Sequence, residues 1–246
     1  MLEYIATVDI GLTSRSVGVF DANEKFITKV DFSAIGELAR NYGFTTTNTF
    51  GIVSAVTDSN LKDIPFKHQL VRRLLLHGKF LEMPVSYSEK IQDERLANAY
   101  FLFKQNTKTK MMINCGHVMT ADLIDNSGFK GGFILPSIGQ LRNFYKYDEY
   151  FKHFVNDAKM SFDYSNKLPQ DNLQAIEQGT LAAFYFQLKG IIKEYHPEVI
   201  YLTGQYGDDV AKFLKPTAQK DGFSIQLSKD LVHRSLCFIA KRVYRE

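Results

Sequence analysis

The sequence predicts a two-lobed α/β protein in which strands precede helices in each half, with a ligand cleft between the lobes. Three observations carry this expectation. From Ile5 to Glu24 the chain reads as a β-branched strand, then Asp9-Ile-Gly11, a polar turn, a second strand, and a turn opened by Asp21. A weaker echo runs from Met112 to Gly128, with Asn114-Cys-Gly116 at the strand end and Asp125 opening the later turn. In each half, helical spacing follows the strands, and the halves join near residues 104–110. Two stacked lobes related by internal duplication follow, divided as 1–107 and 108–246.

The repeated plan has a physical use. A carboxylate at a strand end followed by Gly lets hairpin amides approach a phosphate while the acid holds a cation beside it. Either copy alone is an ordinary hairpin with a turn glycine. Two copies in the same order suggest a pair of hairpins clamping a nucleotide.

The remaining elements follow in order. Gly36 to Asn41 reads as a short helix and Thr49 to Val56 as a buried strand, after which Thr57 to Asn60 break the chain. Phe66 to Leu76 shows helical spacing, with Leu70, Leu74 and Leu75 on one side. Asp93 to Phe103 is a helix whose first turn carries acids, where the macrodipole favours them. In the second half Lys110 to Cys115 is a strand. Thr120 to Ile124 and Gly132 to Leu135 then make a hairpin that Pro136 ends. Helices follow over Gly139 to Phe154 and Asp171 to Tyr195, then a short strand at Val199 to Leu202 and a terminal helix from Lys229 to Arg242. The aromatics between Phe144 and Phe154 surround much of their helix, which suits a thick core helix or a partner subunit equally.

Composition narrows the class. With 45% hydrophobic and 23% charged residues the chain belongs among soluble globular proteins, and 246 residues give an ample core. A net charge of +3 with dispersed basic residues, apart from pairs such as Arg72-Arg73, gives no support for nucleic-acid binding. Two cysteines, Cys115 and Cys237, do not make a disulfide framework and suggest a reducing compartment. No secretory leader is visible, and no apolar run approaches the roughly 20 residues that span a bilayer. The expectation is a cytoplasmic protein without a membrane partner.

Six motifs in order resemble the type III pantothenate kinases, of the superfamily that holds acetate and sugar kinases, actin and the heat-shock-chaperone ATPases. They are Asp9-Ile-Gly11-Leu-Thr13 with Val17 to Phe20, Asp93-Glu94-Arg95 through Asn98, Asn114-Cys-Gly116, Gly131 to Pro136, Ala175 to Gly179, and Leu202-Thr203-Gly204. The resemblance covers nearly the whole chain. It implies ribonuclease H-like, actin-like lobes and transfer of phosphate from ATP to pantothenate, giving 4'-phosphopantothenate in the first step toward coenzyme A. It also implies Mg2+, a monovalent cation such as K+ or NH4+, and a homodimer. Asp9, Gly11 and Thr13 inherit the contacts to nucleotide phosphate and metal, and Gly116, Thr120 and Gly204 the second set of phosphate contacts. Glu94, or Asp93 after a one-residue shift, inherits the general base, while Arg95 and Tyr87 inherit the substrate. Asn114 and Asn172 fall on cation positions.

Several polar positions depart from that pattern. Asn114 replaces an acid, His117 a Thr, Leu12 a polar loop residue, Asn172 a Thr, Gln92 a Gly and Gln205 a Gly. Losing the acid at 114 removes a full charge from a cation site. Two readings stand: a kinase with an adapted cation site, and a non-catalytic relative that binds nucleotide or a pantothenate-like ligand and works through protein interactions. His117 has no second His or Cys at metal-ligand spacing, so zinc is not expected. Thr45 to Thr49 lack the glycines and Lys of a phosphate loop.

Overall fold

The computed structural model describes residues 1–11, 14–56, 61–88, 90–155, 162–165 and 167–245. They form two compact units. The first is built on a sheet of five strands. β1 (Tyr4–Ile10), β2 (Arg15–Asp21) and β3 (Phe26–Asp31) form an antiparallel meander, α1 (Ile35–Tyr42) follows, and β4 (Thr49–Ala55) and β5 (Lys67–Leu70) pair in parallel beyond β1. The strand order is β3-β2-β1-β4-β5. β1 is central, so its apolar residues are covered on both faces, and β4 is buried along its whole length. A small sheet of β6 (Leu75–Leu76), β7 (Lys79–Phe80) and β8 (Met83–Pro84) leads to α2 (Asp93–Phe103).

The second unit repeats the order. β9 (Lys110–Cys115), β10 (Val118–Asp125) and β11 (Gly128–Pro136) are joined by two-residue turns, which only antiparallel neighbours allow. α3 (Ile138–Tyr147) and α4 (Asn172–Tyr195) follow, then β12 (Val199–Thr203), α5 (Gly207–Asp221) and β13 (Ser224–Leu227). β12 runs parallel to both β9 and β13, giving β11-β10-β9-β12-β13. Five strands in one order, twice, are the internal duplication that the two hairpins predicted. Ser137 and Gln140 close a capping box on α3, and Asp171 caps α4 by accepting from the Gln174 N–H at 2.9 Å. Among the described residues no helix is long and apolar enough to cross a membrane.

α6 (Leu231–Arg245) groups with the first unit, as does the segment Ile124–Gly131 at the tip of the β10–β11 hairpin. The expected division at 1–107 and 108–246 therefore differs from the observed one, in which Asp230–Glu246 belongs to the first unit. The reason is packing: α6 lies against β1, β4 and α2, and its Leu236, Ile239 and Ala240 are fully buried.

Three further expectations are corrected. Phe66 to Leu76 is not a helix. Phe66 and Leu70 alternate inward from an edge strand that satisfies β4, and Val71–Leu74 is one 3-10 turn. The helix expected to Phe154 ends at Tyr147. The Asp148 carboxylate there accepts the N–H groups of Tyr150 (2.9 Å) and Phe151 (3.0 Å) and starts a separate turn at Phe151–His153. α5 and β13 were not expected at all; Pro216 stands inside α5, and β13 is a largely exposed edge strand. The break at Thr57 to Asn60 lies outside the described residues.

Candidate active site

In the first unit the chemistry gathers at the carboxyl ends of the parallel strands β1 and β4. Asp9 stands directly opposite Ser16 on β2 and Ser54 on β4. The Ser54 hydroxyl donates to Asp9 Oδ1 at 3.0 Å. Asp9 is half-buried, and burial, with a smaller contribution from Asp93, pushes its carboxyl up to about 6 against the opposing pull of Ser54 and Lys29. A carboxylate held in this way gains from a cation beside it. Beyond Asp9, the Gly11 N–H donates to the Ser14 carbonyl at 2.9 Å and tightens the loop. Thr13 and Leu12 lie outside the described residues.

Asp93, the first residue of α2, is 7% exposed. Its Oδ2 accepts from the Ala55 N–H at 3.1 Å and stands 3.5 Å from Arg72 Nε, while Arg72 Nη2 donates to the Ala55 carbonyl at 2.7 Å. The guanidinium thus bridges the end of β4 and the start of α2. Asp93 is committed to these donors; Glu94 is the next helical residue, half-buried, and rotated about 100° from it.

Arg95 is not the surface cation that its type suggests: it is 3% exposed. Its guanidinium carbon lies 5.0 Å from the Tyr87 ring centroid and 6.0 Å from that of Phe129, within cation–π range. The two rings meet edge to face at 5.8 Å, and the Ser86 N–H donates to the Phe129 carbonyl at 2.9 Å. Arg95 and Tyr87, paired by the resemblance, are thus neighbours in space.

The second unit is electrically different. Asn114 pairs with Thr203 at the ends of β9 and β12. Gly204 has φ +87°, and a Cβ there would meet Asn114 Oδ1 at 2.8 Å and the Cys115 carbonyl carbon at 2.6 Å, so only glycine fits. A Cβ on Gly116 would lie 3.4 Å from the same amide oxygen. Asn114, Gly116 and Gly204 are therefore one cluster. Thr120 is buried on β10, and among the described residues its hydroxyl has no hydrogen-bond partner. Asn172 is exposed in the first turn of α4, and His117 is exposed after β9. Asp208 and Asp209 occupy the first turn of α5.

Among the described residues no three His, Cys, Asp or Glu side chains gather as a metal site. The first unit nevertheless fits magnesium, which binds hard oxygens through one or two carboxylates and takes phosphate and water for the rest. Asp9 is such a carboxylate, and burial disfavours its charge when nothing positive stands beside it. At Asn114 the second unit offers a neutral amide oxygen, a weaker donor for a monovalent cation. Ser54 and Arg72 were missed from the sequence. Ser54 is a hydroxyl near the end of a largely apolar strand, a signal open to use, whereas Arg72 read only as half of a basic pair.

No family model matches the chain. Curated relatives include the type III pantothenate kinase of Campylobacter hominis, 24% identical over 177 residues, which cover 72% of this chain and 77% of that protein. That of Persephonella marina is 26% identical over 161 residues, 61% of each chain. The match to the Campylobacter jejuni type III pantothenate kinase spans 46% of that protein. Among solved structures, a Campylobacter jejuni protein described as a Baf family transcriptional activator superposes with a TM-score of 0.59 at 19% identity, covering 98% of this chain and 100% of its own. A Sinorhizobium meliloti protein described as a 2-dehydro-3-deoxygalactonokinase reaches 0.62 at 11% identity, covering 98% and 99%. The Clostridium difficile activator of 2-hydroxyisocaproyl-CoA dehydratase, solved with bound ADPNP, reaches 0.53 at 9%, covering 98% and 96%. At such identities the structures speak for the fold alone. By its curated relatives the chain is similar to the type III pantothenate kinases, and its twice-repeated strand order is the two-lobed actin-like fold shared by sugar kinases and ATPases.

Proposed function

We propose that this chain is an ATP-dependent kinase that phosphorylates pantothenate, acting in the cytoplasm as a homodimer. One observation carries the reading: a half-buried Asp9 held near 6 beside a second acid, at the end of the central strand of a kinase fold. In-line phosphoryl transfer depends on positioning and on charge neutralisation, and this is where the first lobe concentrates both. Magnesium, when bound, offsets the charge on the transferring phosphoryl group.

In this reading the substrate hydroxyl oxygen forms a bond to the γ-phosphorus as the bond to the ADP oxygen breaks, and the hydroxyl proton passes to a carboxylate. Asp93 is committed to Ala55 and Arg72, so Glu94 takes the base role and Asp93 fixes the start of α2. Arg95, packed on Tyr87 and Phe129, suits the negative end of a small carboxylate substrate. Asn114 and Asn172 leave the monovalent cation site weak. The unpaired, buried Cys115 and Cys237 accord with a reducing cytoplasm, and the exposed Phe144, Tyr147 and Tyr150 accord with a dimer surface.

The test is ATP turnover with and without pantothenate at high Mg2+, with K+ or NH4+ varied. Pantothenate-dependent ADP formation that disappears in Glu94→Gln supports the kinase and its base together. Absence of turnover, with nucleotide or pantothenate binding retained in calorimetry, favours the non-catalytic relative, a reading prompted by the neutral Asn114 and the acids that open α5.

A further inference from the structure

One buried polar cluster has no part in the site as described so far. His233 of α6 is 1% exposed, with Nδ1 2.8 Å from Thr7 Oγ1 and Nε2 2.8 Å from Ser16 Oγ. The Thr7 hydroxyl donates its single proton to the Gly18 carbonyl at 3.1 Å, so it accepts from the imidazole. That assigns the ring proton to Nδ1 from the network, and leaves Nε2 to accept the Ser16 hydroxyl proton. Burial holds His233 down to about 4, with Lys29 adding to the shift and Asp230 opposing it, so the ring is neutral near pH 7. The cluster packs on bare backbone: a Cβ at Gly18 would meet Thr7 Oγ1 at 2.7 Å and His233 Nδ1 at 2.9 Å.

Register connects this cluster to Asp9. Thr7 and Asp9 are two residues apart on β1 and share a face, and Ser16 and Ser54 stand opposite Asp9 on that same face. Ser54 directs its proton to Asp9, and Ser16 directs its proton away to His233. Both hydroxyl oxygens flanking the carboxylate are thus left as acceptors only. A row of acceptors fits the donor waters of a hydrated divalent cation.

We propose that Ser16 and Ser54 complete the cation-facing row around Asp9, and that His233 is a positioning residue that keeps Ser16 an acceptor. This rests on the reading of the first hairpin as a magnesium-nucleotide site. Without the imidazole, the Ser16 hydroxyl would turn and donate to Asp9, competing with the cation for the same carboxylate.

Mn2+ binding in the presence of ATP, read by electron paramagnetic resonance, tests this on the full chain as wild type, Ser16→Ala, His233→Leu and His233→Gln. Ser16→Ala and His233→Leu are expected to weaken binding roughly three- to tenfold, the worth of one hydrogen-bonding oxygen. His233→Gln, whose amide oxygen can stand where Nε2 stood, is expected to restore most of the loss. Both His233 variants lose the bond to Thr7 and should be destabilised alike in thermal unfolding, so a purely structural role would weaken Mn2+ binding equally in both. Equal weakening, or a Ser16→Ala protein that binds Mn2+ like wild type, would overturn the proposal and leave the kinase reading standing. If the wild type binds no Mn2+ with ATP, both fall together. Should His233→Leu fail to fold, Ser16→Ala alone decides.

Discussion

Replacing Asp9 by Asn should make the protein more stable at neutral pH. The Asp9 carboxyl is raised from 3.8 to about 6 by burial first and Asp93 second, so between those values the folded chain holds a proton that the unfolded chain has released. Stability from this group is therefore present at low pH and lost as pH rises through 6. A shift of roughly two units corresponds to about 3 kcal/mol, an upper figure for the cost of folding the ionised acid at pH 7.5. Asn keeps the shape and an oxygen for the Ser54 hydroxyl but carries no charge. Urea unfolding in EDTA should show Asp9→Asn more stable by about 2–3 kcal/mol at pH 7.5, with the gain shrinking below pH 6 and absent near pH 4. His233 works in the opposite sense. Its value is lowered from 6.5 to about 4, so its contribution is lost as pH falls through that interval. In wild type the two contributions nearly cancel between pH 4 and 6, and in Asp9→Asn the histidine slope stands alone. A variant no more stable than wild type at pH 7.5, or a gain that does not change with pH, would refute the account of a strained acid at the site.

Other substitutions probe the neighbouring groups. Gly204→Ala must place a Cβ at φ +87°, 2.6 Å from the Cys115 carbonyl carbon, and should lower unfolding free energy by about 2 kcal/mol or more in urea titration. Arg72→Met leaves the 6%-exposed Asp93 side chain without its guanidinium and should cost about 1–3 kcal/mol, with a smaller cost when Asp93→Asn is added in a double-mutant cycle. Asn114→Asp restores a charge to the second hairpin and should introduce or steepen a K+ dependence of turnover; an unchanged K+ titration would remove this position from cation binding. Tyr147→Lys and Phe144→Lys, at residues 82% and 67% exposed, should shift sedimentation toward monomer if α3 forms the dimer surface, and leave it unchanged otherwise.

The strands were legible because their periodicity is local. β1, β2 and β4 carry enough β-branched residues to be read alone, β9 is an apolar run, and the two Asp/Asn-any-Gly hairpins in register gave the duplication, though not the edge strands β5 and β13 that complete each sheet. What failed depended on tertiary context. The Phe66–Leu70–Leu74 spacing fits a helix until β4 needs a parallel neighbour, and Asp148 ends α3 through a side-chain bond that spacing does not reveal. The acids of the site were likewise legible from motif order. Their partners were not, because they come from far along the chain. Ser54 is 45 residues from Asp9, Arg72 is 21 from Asp93, and His233 is 217 from Ser16. No local pattern distinguishes a histidine that holds a hairpin from one that fills a helix face.

The duplication makes the contrast between the two hairpins informative. Both present a glycine two residues after the polar residue that ends a central strand, and both are followed by a parallel strand whose end closes over that residue. Only the first carries charge at that residue. Asp9 is raised by burial and by Asp93, a state that costs stability and persists because the fold around it is over-determined by Ser54, Ala55 and Arg72. In the second copy Asn114 keeps the shape, its amide oxygen laid over Gly116 and Gly204, and avoids the same cost. At Asp9, with the Ser54 hydroxyl on its oxygen and Asp93 adding to its unfavourable charge, a cation would offset a cost that Asn114 does not carry.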